Sequence, residues 1–353
     1  MKKNIAIVFG GKSSEYSVSL ESVCSVLRNI DRNRYDIYMI GINKNGEWKH
    51  YEGDIECIEN DNWDSDDLNQ VMICPNPIKH CLWERNEEKI KEIVVDAIMP
   101  ILHGKNGEDG TIQGMIQMAS IPLIGCDVLS SALCMDKHKA HTLVKSHGIE
   151  VTSSFYLNNQ KEYQNQKKNI LKLKLPLYIK PIKSGSSLGM SRITSYDDLD
   201  DAIHQAFLFD NEVLIEEEVK GFEVGCAVMG VNELTVGRVD EIELSSGFFD
   251  FKEKYTLQTS HIYVPARISS SLEKKIQDTA KRIYKILGCR IFARVDMFLT
   301  PDYRIVFNEV NTIPGFTAHS RYPSMMNEAG ITFKNLLTNL IEMGIEDANK
   351  NTL

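Results

Sequence analysis

Ile5-Ala6-Ile7-Val8-Phe9-Gly10-Gly11 is the stretch on which the fold turns. Its five apolar residues do not alternate with polar ones, as they would in a strand with one wet face. A continuous run of this kind suits a strand covered on both faces, the usual condition of a parallel sheet. The two glycines end it. A helical pattern follows in Val18, Val23, Val26, Leu27 and Ile30, then a second strand over 36–42 and another over 94–102. This βαβ alternation predicts an open α/β domain to about residue 124, with residues 52–92 as a polar, irregular surface excursion.

Working outward, 129–147 reads as one helix, stopped by Gly148 where a C-cap wants glycine. A short strand over 176–181 runs into Ser184-Gly185-Ser186-Ser187-Leu188-Gly189. A strand from Met190 and a helix over 196–209 complete a small middle unit. Beyond Val213 strand patterns dominate, at 213–215, 223–229, 234–243, 293–299 and 304–310. Helices are predicted at 272–287 and 333–343. The fold class is therefore α/β, with α+β character in the later part.

The chain has 353 residues, 40 basic and 49 acidic, for a formal net charge of −9. At roughly 100–200 residues per domain, that length predicts two or three domains. The acidic balance speaks against nucleic acid as a partner, because duplex binding draws on clustered Lys and Arg. A local basic pocket for phosphates stays compatible with it. The eight cysteines, Cys24, Cys57, Cys74, Cys81, Cys126, Cys134, Cys226 and Cys289, include no C-x-x-C pair. They are expected to be buried free thiols in a reducing compartment. The first apolar segment is too short for a secretory h-region, and no run approaches ~18 residues. A cytoplasmic protein with no membrane partner is expected.

Two tempting phosphate motifs fail. Gly11-Lys12-Ser13 lacks the first glycine of a P-loop, since position 6 is Ala6. Gly104-Lys105-Asn106-Gly107-Glu108-Asp109-Gly110 spaces its glycines by three, which is not a dinucleotide fingerprint. His138 and His141 lack the H-E-x-x-H form and are expected to face solvent on a helix.

The segment 180–189 is more informative. Its small residues would let backbone N–H groups approach a phosphate, and Lys180 and Lys183 supply charge. It reads equally as a phosphate-covering loop or as a flexible hairpin turn. Arg294-Val295-Asp296 lies on one predicted strand and Asn308-Glu309-Val310-Asn311 on the next. Alternate residues share a face, so Arg294 goes with Asp296 and Glu309 with Asn311. Two carboxylates and an amide make a hard-oxygen set suited to Mg²⁺; an exposed, salt-bridged sheet face has the same pattern. The turn Asn311-Thr312-Ile313-Pro314-Gly315 that follows could present backbone N–H groups to an oxyanion. Gly247-Phe248-Phe249-Asp250-Phe251 and Lys254-Tyr255 sit in a long aromatic loop, a length usually kept for lids or binding loops.

Taken in order, Gly10 to Glu15, His103-Gly104 to Gly110, Met135-Asp136-Lys137, Lys180 to Gly189, Lys254-Tyr255, Arg294-Val295-Asp296 and Asn308 to Ser320 resemble the D-alanine–D-alanine ligases of the ATP-grasp superfamily. The resemblance spans nearly the whole chain. It is strongest to the vancomycin-resistance D-alanine–D-serine ligases of the VanG type. It implies three domains. Residues 1–124 would form an N-terminal α/β domain with the first D-alanine site and a homodimer contact. Residues 125–215 would form a central ATP-grasp domain with the phosphate-covering loop. Residues 216–348 would form a C-terminal ATP-grasp domain with the metal site, lid loop and second-substrate pocket. It also implies the reaction: ATP phosphorylates the carboxylate of one D-alanine, and the amine of a second D-amino acid displaces the phosphate. Such chemistry needs positioning, charge neutralisation and exclusion of water more than a protein nucleophile.

The resemblance also assigns roles. Lys137 and Lys180 would hold α- and β-phosphates, and Ser187 would help cover them. Glu216, Glu218 and Val219 would line adenine, and Glu223 would take the ribose hydroxyls. Asp296, Glu309 and Asn311 would hold two Mg²⁺ ions, with Mn²⁺ able to substitute. Glu15 would bind the ammonium of the first D-alanine, with His103 beside it. Arg294 and the backbone of Gly315 would form the oxyanion site. Ser186, Tyr255 and Glu15 would be linked by hydrogen bonds, closing the aromatic loop. Lys254 and Ser320 would meet the second substrate's carboxylate and the transferred phosphate.

Position 321 carries the specificity expectation. Housekeeping ligases usually place an apolar residue there, whereas Arg321 can donate to a serine hydroxyl. Asp240 would orient it and Phe249 would narrow the pocket. A hydrogen bond to a charged group contributes roughly 1.5–3 kcal/mol, a ~10- to 150-fold preference. D-alanine and D-serine are therefore the expected substrates. The alternatives are a housekeeping D-alanine–D-alanine ligase and, more remotely, an inactive nucleotide-binding regulator.

Overall fold

In the computed structural model, which describes residues 1–86, 89–183, 188–244, 260–317 and 319–351, the opening run is a central strand. Strand β1 (Lys3–Gly10) pairs in parallel with β2 (Tyr35–Ile42) on one side and β7 (Ala97–Ile101) on the other. Its odd residues Ile5, Ile7 and Phe9 enter one core, and Ala6 and Val8 enter the other. That two-sided burial is why the run does not alternate. At the strand's end Gly10 has φ +86°, and a Cβ there would stand 2.2 Å from the Ile42 carbonyl oxygen, so only glycine makes this turn. Helix α1 (Tyr16–Asn29) then lays Leu20, Val23 and Leu27 on the first core.

Residues 52–92 are not an irregular excursion. After β3 (Trp48–Tyr51), a short helix α2 (Ile55–Glu59) leads to β4 (Gln70–Ile73), β5 (Cys81–Asn86) and β6 (Lys89–Val94). These extend the first sheet to seven strands in the order β6-β5-β4-β3-β2-β1-β7. They are short antiparallel strands at the sheet's edge, and their wet face carries charges that mask the period. Trp63, in the same region, is buried edge-on against Phe9 at 5.0 Å. Gly41 makes room for it, since a Cβ there would meet the indole at 2.2 Å.

The segment 129–147 is two helices rather than one. Helix α3 (Thr111–Met118) precedes them; α4 (Val128–Met135) stops at Asp136, and α5 (Lys137–Ser146) starts there. The Asp136 carboxylate accepts from the Lys139 N–H at 3.0 Å. Aspartate at that position caps a new helix better than it continues an old one.

The second sheet has the order β11-β10-β12-β9, all antiparallel, from β9 (Ser154–Leu157), β10 (Leu177–Pro181), β11 (Ser191–Ile193) and β12 (Val213–Glu217). Helices α6 (Gln160–Ile170) and α7 (Leu199–Phe207) share its core; a 3-10 turn, Tyr196–Asp198, takes the first residues of the helix expected at 196–209. The third sheet runs β15-β14-β13-β16-β17-β8. Its members are β8 (Glu150–Val151), β13 (Phe222–Gly230), β14 (Leu234–Leu244), β15 (Ser260–Tyr263), β16 (Ile291–Leu299) and β17 (Ile305–Asn311). Helix α8 (Ser270–Ile286) covers one face through Ile276, Ala280, Ile283 and Tyr284. Helix α9 (Arg321–Glu328) packs on β13 and β14 of the third sheet, and α10 (Phe333–Asn351) returns to the first sheet, where Leu336, Leu337, Leu340 and Ile341 join Ile5, Ile7 and Met99.

All eight cysteines are free thiols, seven of them buried and Cys57 half-buried. Among the described residues, no helix is long and apolar enough to cross a membrane.

Candidate active site

The β16–β17 ladder sets Asp296 opposite Glu309 and Arg294 opposite Asn311. Arg294 grips the Asp296 carboxylate with two N–H groups, Nε to Oδ1 at 2.8 Å and Nη2 to Oδ2 at 2.7 Å. The Asn311 side-chain amide donates to the same carboxylate at 2.9 Å. The faces read from alternation are therefore the faces in the fold, and both strands turn them to one place. Lys137, the first residue of α5, brings Nζ to 3.7 Å from Glu309. Two adjacent carboxylates and an amide on rigid strands suit a hard cation that takes its remaining oxygens from phosphate and water. Among the described residues, no three His, Cys, Asp or Glu side chains gather as a metal cage of their own.

Beside this ladder is a second charged group. Lys180, on β10, places Nζ 2.6 Å from a Glu216 oxygen, on the neighbouring β12. Burial by itself pulls the lysine's pKa down, but Glu216 more than offsets it and holds the ammonium above its ordinary range. Glu216 is in turn held below the usual carboxylate range by Lys180, against the pull of burial. His141 lies against this pair and does not face solvent. It is 5% exposed, with Nε2 2.6 Å from the Asn308 carbonyl and Nδ1 3.4 Å from Glu216. Its helix position gave no sign of this, because β17 and β12 approach α5 only in the tertiary fold. His138 is also only partly exposed, stacked on Tyr156 at 4.2 Å. Lys183 pairs with Glu212. Glu218, just past β12, takes the Arg192 guanidinium at 2.7 Å, and Val219 follows it.

At the N-terminal side, Glu15 stands directly before α1, makes no capping bond to that helix, and is buried. Gly104 has φ +72°, and a Cβ on it would lie 2.5 Å from a Glu15 carboxylate oxygen. The Ser13 hydroxyl accepts from the Glu15 N–H at 3.1 Å and donates to the His103 carbonyl at 2.8 Å. His103 is buried, and desolvation lowers its pKa, so the ring is neutral. A carbonyl can only accept, so the His103 Nδ1–H donates to Ile313 at 3.0 Å, and Nε2 accepts from Ser22 at 3.1 Å. Ser22 also takes the Phe316 N–H at 3.3 Å. The loops at Ser13–Glu15 and His103–Gly104 and the turn at Gly315 are thereby one bonded unit. A cavity of about 370 Å³ opens here, with Ser13, Glu15, Gly104 and Leu188 in its wall. Glu108 had no role in the sequence reading beyond its place in the glycine segment. It accepts the Gly104 N–H at 2.8 Å, and burial together with the neighbouring Glu15 pushes its pKa up to about 8.

Arg321 closes the far end. It is 9% exposed, and Asp240 grips it twice, from Nε at 2.7 Å and Nη2 at 2.9 Å. Nη1 donates to Glu223 at 2.7 Å, and Asp296 lies 3.4 Å from Nη2. Glu223, read as a ribose residue, is tied to the same guanidinium, a contact the sequence reading did not include. Gly225 is a further residue that it missed. A Cβ there would stand 2.5 Å from Arg321 and 2.6 Å from Asp240, and its N–H donates to Asp240 at 2.7 Å. At the turn, the Ser320 hydroxyl accepts from the Thr317 N–H at 3.0 Å and lies 2.9 Å from where a Gly315 Cβ would be. Ser186, Ser187, Phe249, Lys254 and Tyr255 lie outside the described residues.

Three sheets holding paired lysines against a two-carboxylate ladder, with a buried acid at the opposite wall, define a nucleotide-dependent ligase of the ATP-grasp type. Comparison with known proteins agrees. Residues 4–126 match the D-ala D-ala ligase N-terminus family and 143–342 the D-ala D-ala ligase C-terminus family. The chain belongs to the D-alanine–D-alanine ligase family. The VanG D-Ala:D-Ser ligase structure from Enterococcus faecalis is 52% identical, with a TM-score of 0.90, covering 98% of this chain and 100% of that one. The vancomycin/teicoplanin A-type resistance protein VanA of Enterococcus faecium is 42% identical, over 97% of this chain and 98% of its own. The D-alanine–D-alanine ligase of Bacillus anthracis complexed with ATP is 26% identical, with a TM-score of 0.74 and 99% of each chain covered.

Proposed function

We propose that this protein joins D-alanine to D-serine at the expense of ATP, through a D-alanyl phosphate, giving a dipeptide for altered peptidoglycan precursors in vancomycin resistance. One observation supports the choice of D-serine: a guanidinium, not an apolar side chain, is held beside the Arg294–Asp296 clamp. Bidentate pairing with Asp240 fixes its direction, so a hydroxyl can be met without reorganisation. Three of the five guanidinium N–H groups are engaged by Asp240 and Glu223. Selectivity then rests on the Nη groups that remain.

Glu15 offers a buried carboxylate to the first substrate's ammonium. His103, neutral and anchored at both nitrogens, holds the wall behind it. Lys137 and Lys180 meet phosphate oxygens as point charges, and Arg294 with the Gly315 backbone receives the oxyanion. Asp296, Glu309 and Asn311 would hold two Mg²⁺ ions, or Mn²⁺ in their place, which offset phosphate charge when bound. Ser186, Ser187, Phe249, Lys254 and Tyr255 keep the roles that the family resemblance gives them. The same reading places the enzyme in the cytoplasm as a homodimer built on residues 1–124, with 125–215 and 216–348 closing on the nucleotide. It involves no nucleic acid.

The test is competition. With ATP, D-alanine and equimolar D-serine, mass spectrometry of the products should show mostly D-alanyl-D-serine. A product that is mostly D-alanyl-D-alanine refutes the choice and leaves a housekeeping ligase. Absence of phosphate release with D-alanine would instead leave a nucleotide-binding regulator.

A further inference from the structure

The turn after β17 is held on both sides of Gly315 and left open at Gly315 itself. Before it, the Ile313 carbonyl accepts from His103 Nδ1 at 3.0 Å. The Ile313 N–H is directed at the Glu108 carboxyl, where it works against the upward pull of burial on that group's pKa. After it, the Phe316 N–H donates to the Ser22 hydroxyl at 3.3 Å. Pro314 has no N–H to give, and the Gly315 N–H has no acceptor among the described residues. One loop, through His103 and Glu108, therefore meets both backbone groups of Ile313.

That loop is closed on itself. The Gly104 carbonyl accepts from the N–H groups of Gly107 at 3.1 Å and Glu108 at 2.9 Å, and the Gly104 N–H donates back to Glu108 Oε2 at 2.8 Å. From beneath, Gln113, 1% exposed, donates from Nε2 to the Gly107 carbonyl at 2.7 Å. A Cβ on Gly107 would stand 2.7 Å from the Leu102 carbonyl oxygen, so the loop can lie this close to β7 only as glycine. The Glu108 side chain is thus a short strut with a fixed base, reaching from the glycine loop to the turn.

We propose that Glu108 is a positioning residue for the ligation step: together with His103 it fixes the Ile313 peptide, and through it aims the Gly315 N–H at the developing oxyanion. The inference rests on the reading of Gly315 as an oxyanion donor and deepens it. Such a donor is effective in proportion to how well it is oriented before the reaction begins. Glu108 touches no reacting atom, and its share in the rate comes through the turn.

The test is Glu108→Gln, which keeps the shape of the side chain but has one acceptor oxygen for the two N–H groups of Gly104 and Ile313. Its kcat should fall roughly ten- to a hundredfold, short of the ~10²–10³ that loss of a whole oxyanion donor costs. The KM for ATP and the calorimetric affinities for ADP and D-alanine should stay within about twofold. Affinity for a phosphinate analogue of the dipeptide, whose tetrahedral anionic centre mimics the intermediate, should fall in step with kcat. A merely structural role would lower the urea midpoint and weaken D-alanine and the phosphinate alike, and that pattern overturns the proposal, as does an unchanged kcat. On the unmutated chain, hydrogen exchange at the Ile313 amide, read by NMR, should be slow; fast exchange overturns the contact without recourse to any variant. If the phosphinate binds the unmutated chain no more tightly than D-alanine does, the oxyanion reading fails and the strut with it. If it binds tightly and Glu108→Gln weakens it no more than D-alanine, the strut alone fails.

Discussion

Replacing Arg321 with Leu looks, from sequence, like a clean exchange of a hydroxyl-seeking group for a methyl-seeking one. The structure predicts a second and larger effect. Asp240 is fully buried, and with Arg321 gone the Gly225 N–H is the hydrogen bond to it that remains among those described here. Removing one partner of a buried ion pair typically costs about 3–5 kcal/mol, because the other charge is left uncompensated. Whole-domain stabilities are of order 5–15 kcal/mol, so Arg321→Leu should be severely destabilised. Removing the carboxylate as well, in Arg321→Leu/Asp240→Leu, deletes the most deeply buried stranded charge and leaves an unsatisfied Gly225 N–H, about 1–3 kcal/mol, with the partly exposed Glu223 losing its Nη1 donor in both variants. The double variant should therefore be more stable than the single one. Urea midpoints of the parent, both single variants and the double variant close the cycle. Product ratios for D-serine against D-alanine are then compared in the double variant, where they should fall by one to two decades, the ~1.5–3 kcal/mol of one charged hydrogen bond. A single variant within about 1 kcal/mol of the parent, or strictly additive losses, would refute the ion-pair reasoning. An unchanged product ratio would refute the role in selectivity.

Other outcomes are expected. Glu309→Gln should abolish ATP-dependent turnover with a near-parental urea midpoint. Glu309 is a cleaner probe than Asp296, whose loss would also release Arg294; normal rates at saturating Mg²⁺ would remove Glu309 from the metal set. Glu108 keeps its proton in the folded chain to about pH 8 and in the unfolded chain only to about 4.5. Between those values the folded state binds more protons, so this group makes stability fall as pH rises. Glu108→Gln should flatten that fall, read from urea midpoints at pH 5, 7 and 9; parallel curves for parent and variant would show that the carboxyl is not so placed. Asp136→Ala removes the cap of α5 and should cost about 0.5–2 kcal/mol. It should also raise the KM for ATP, because Lys137 is the first residue of that helix; an unchanged KM would separate the cap from the phosphate contact.

What was legible in the sequence was what local periodicity encodes. The run 5–9 announced a two-sided strand, and alternation along 294–296 and 308–311 put the right residues on one face. The short strands between Gln70 and Val94 were not legible, since four to six residues with one charged face look like a loop. The break at Asp136 was hidden by apolar spacing that continues across it. His141 was missed because nothing on its own helix marks burial; its partners, Glu216 and Asn308, are 75 and 167 residues away. Arg321 and Asp240 were paired from family resemblance, while Gly225, the glycine that makes their contact sterically possible, carried no local signal.

The return of α10 to the first sheet has a consequence for how the chain is made. Ile5, Ile7 and Met99 share their core with Leu336, Leu337, Leu340 and Ile341, and Glu342 binds Lys3, Arg34 and Tyr35. Synthesis at ~5–20 residues per second puts roughly 10–50 s between the last strand of that sheet and the helix that covers it. Throughout that interval the part of this face that α1 does not cover stays exposed, the kind of apolar surface through which incomplete chains associate. Premature termination anywhere before α10 leaves that face permanently open, so truncated products of this gene should collect in the insoluble fraction even when the stop lies beyond every residue of the active site.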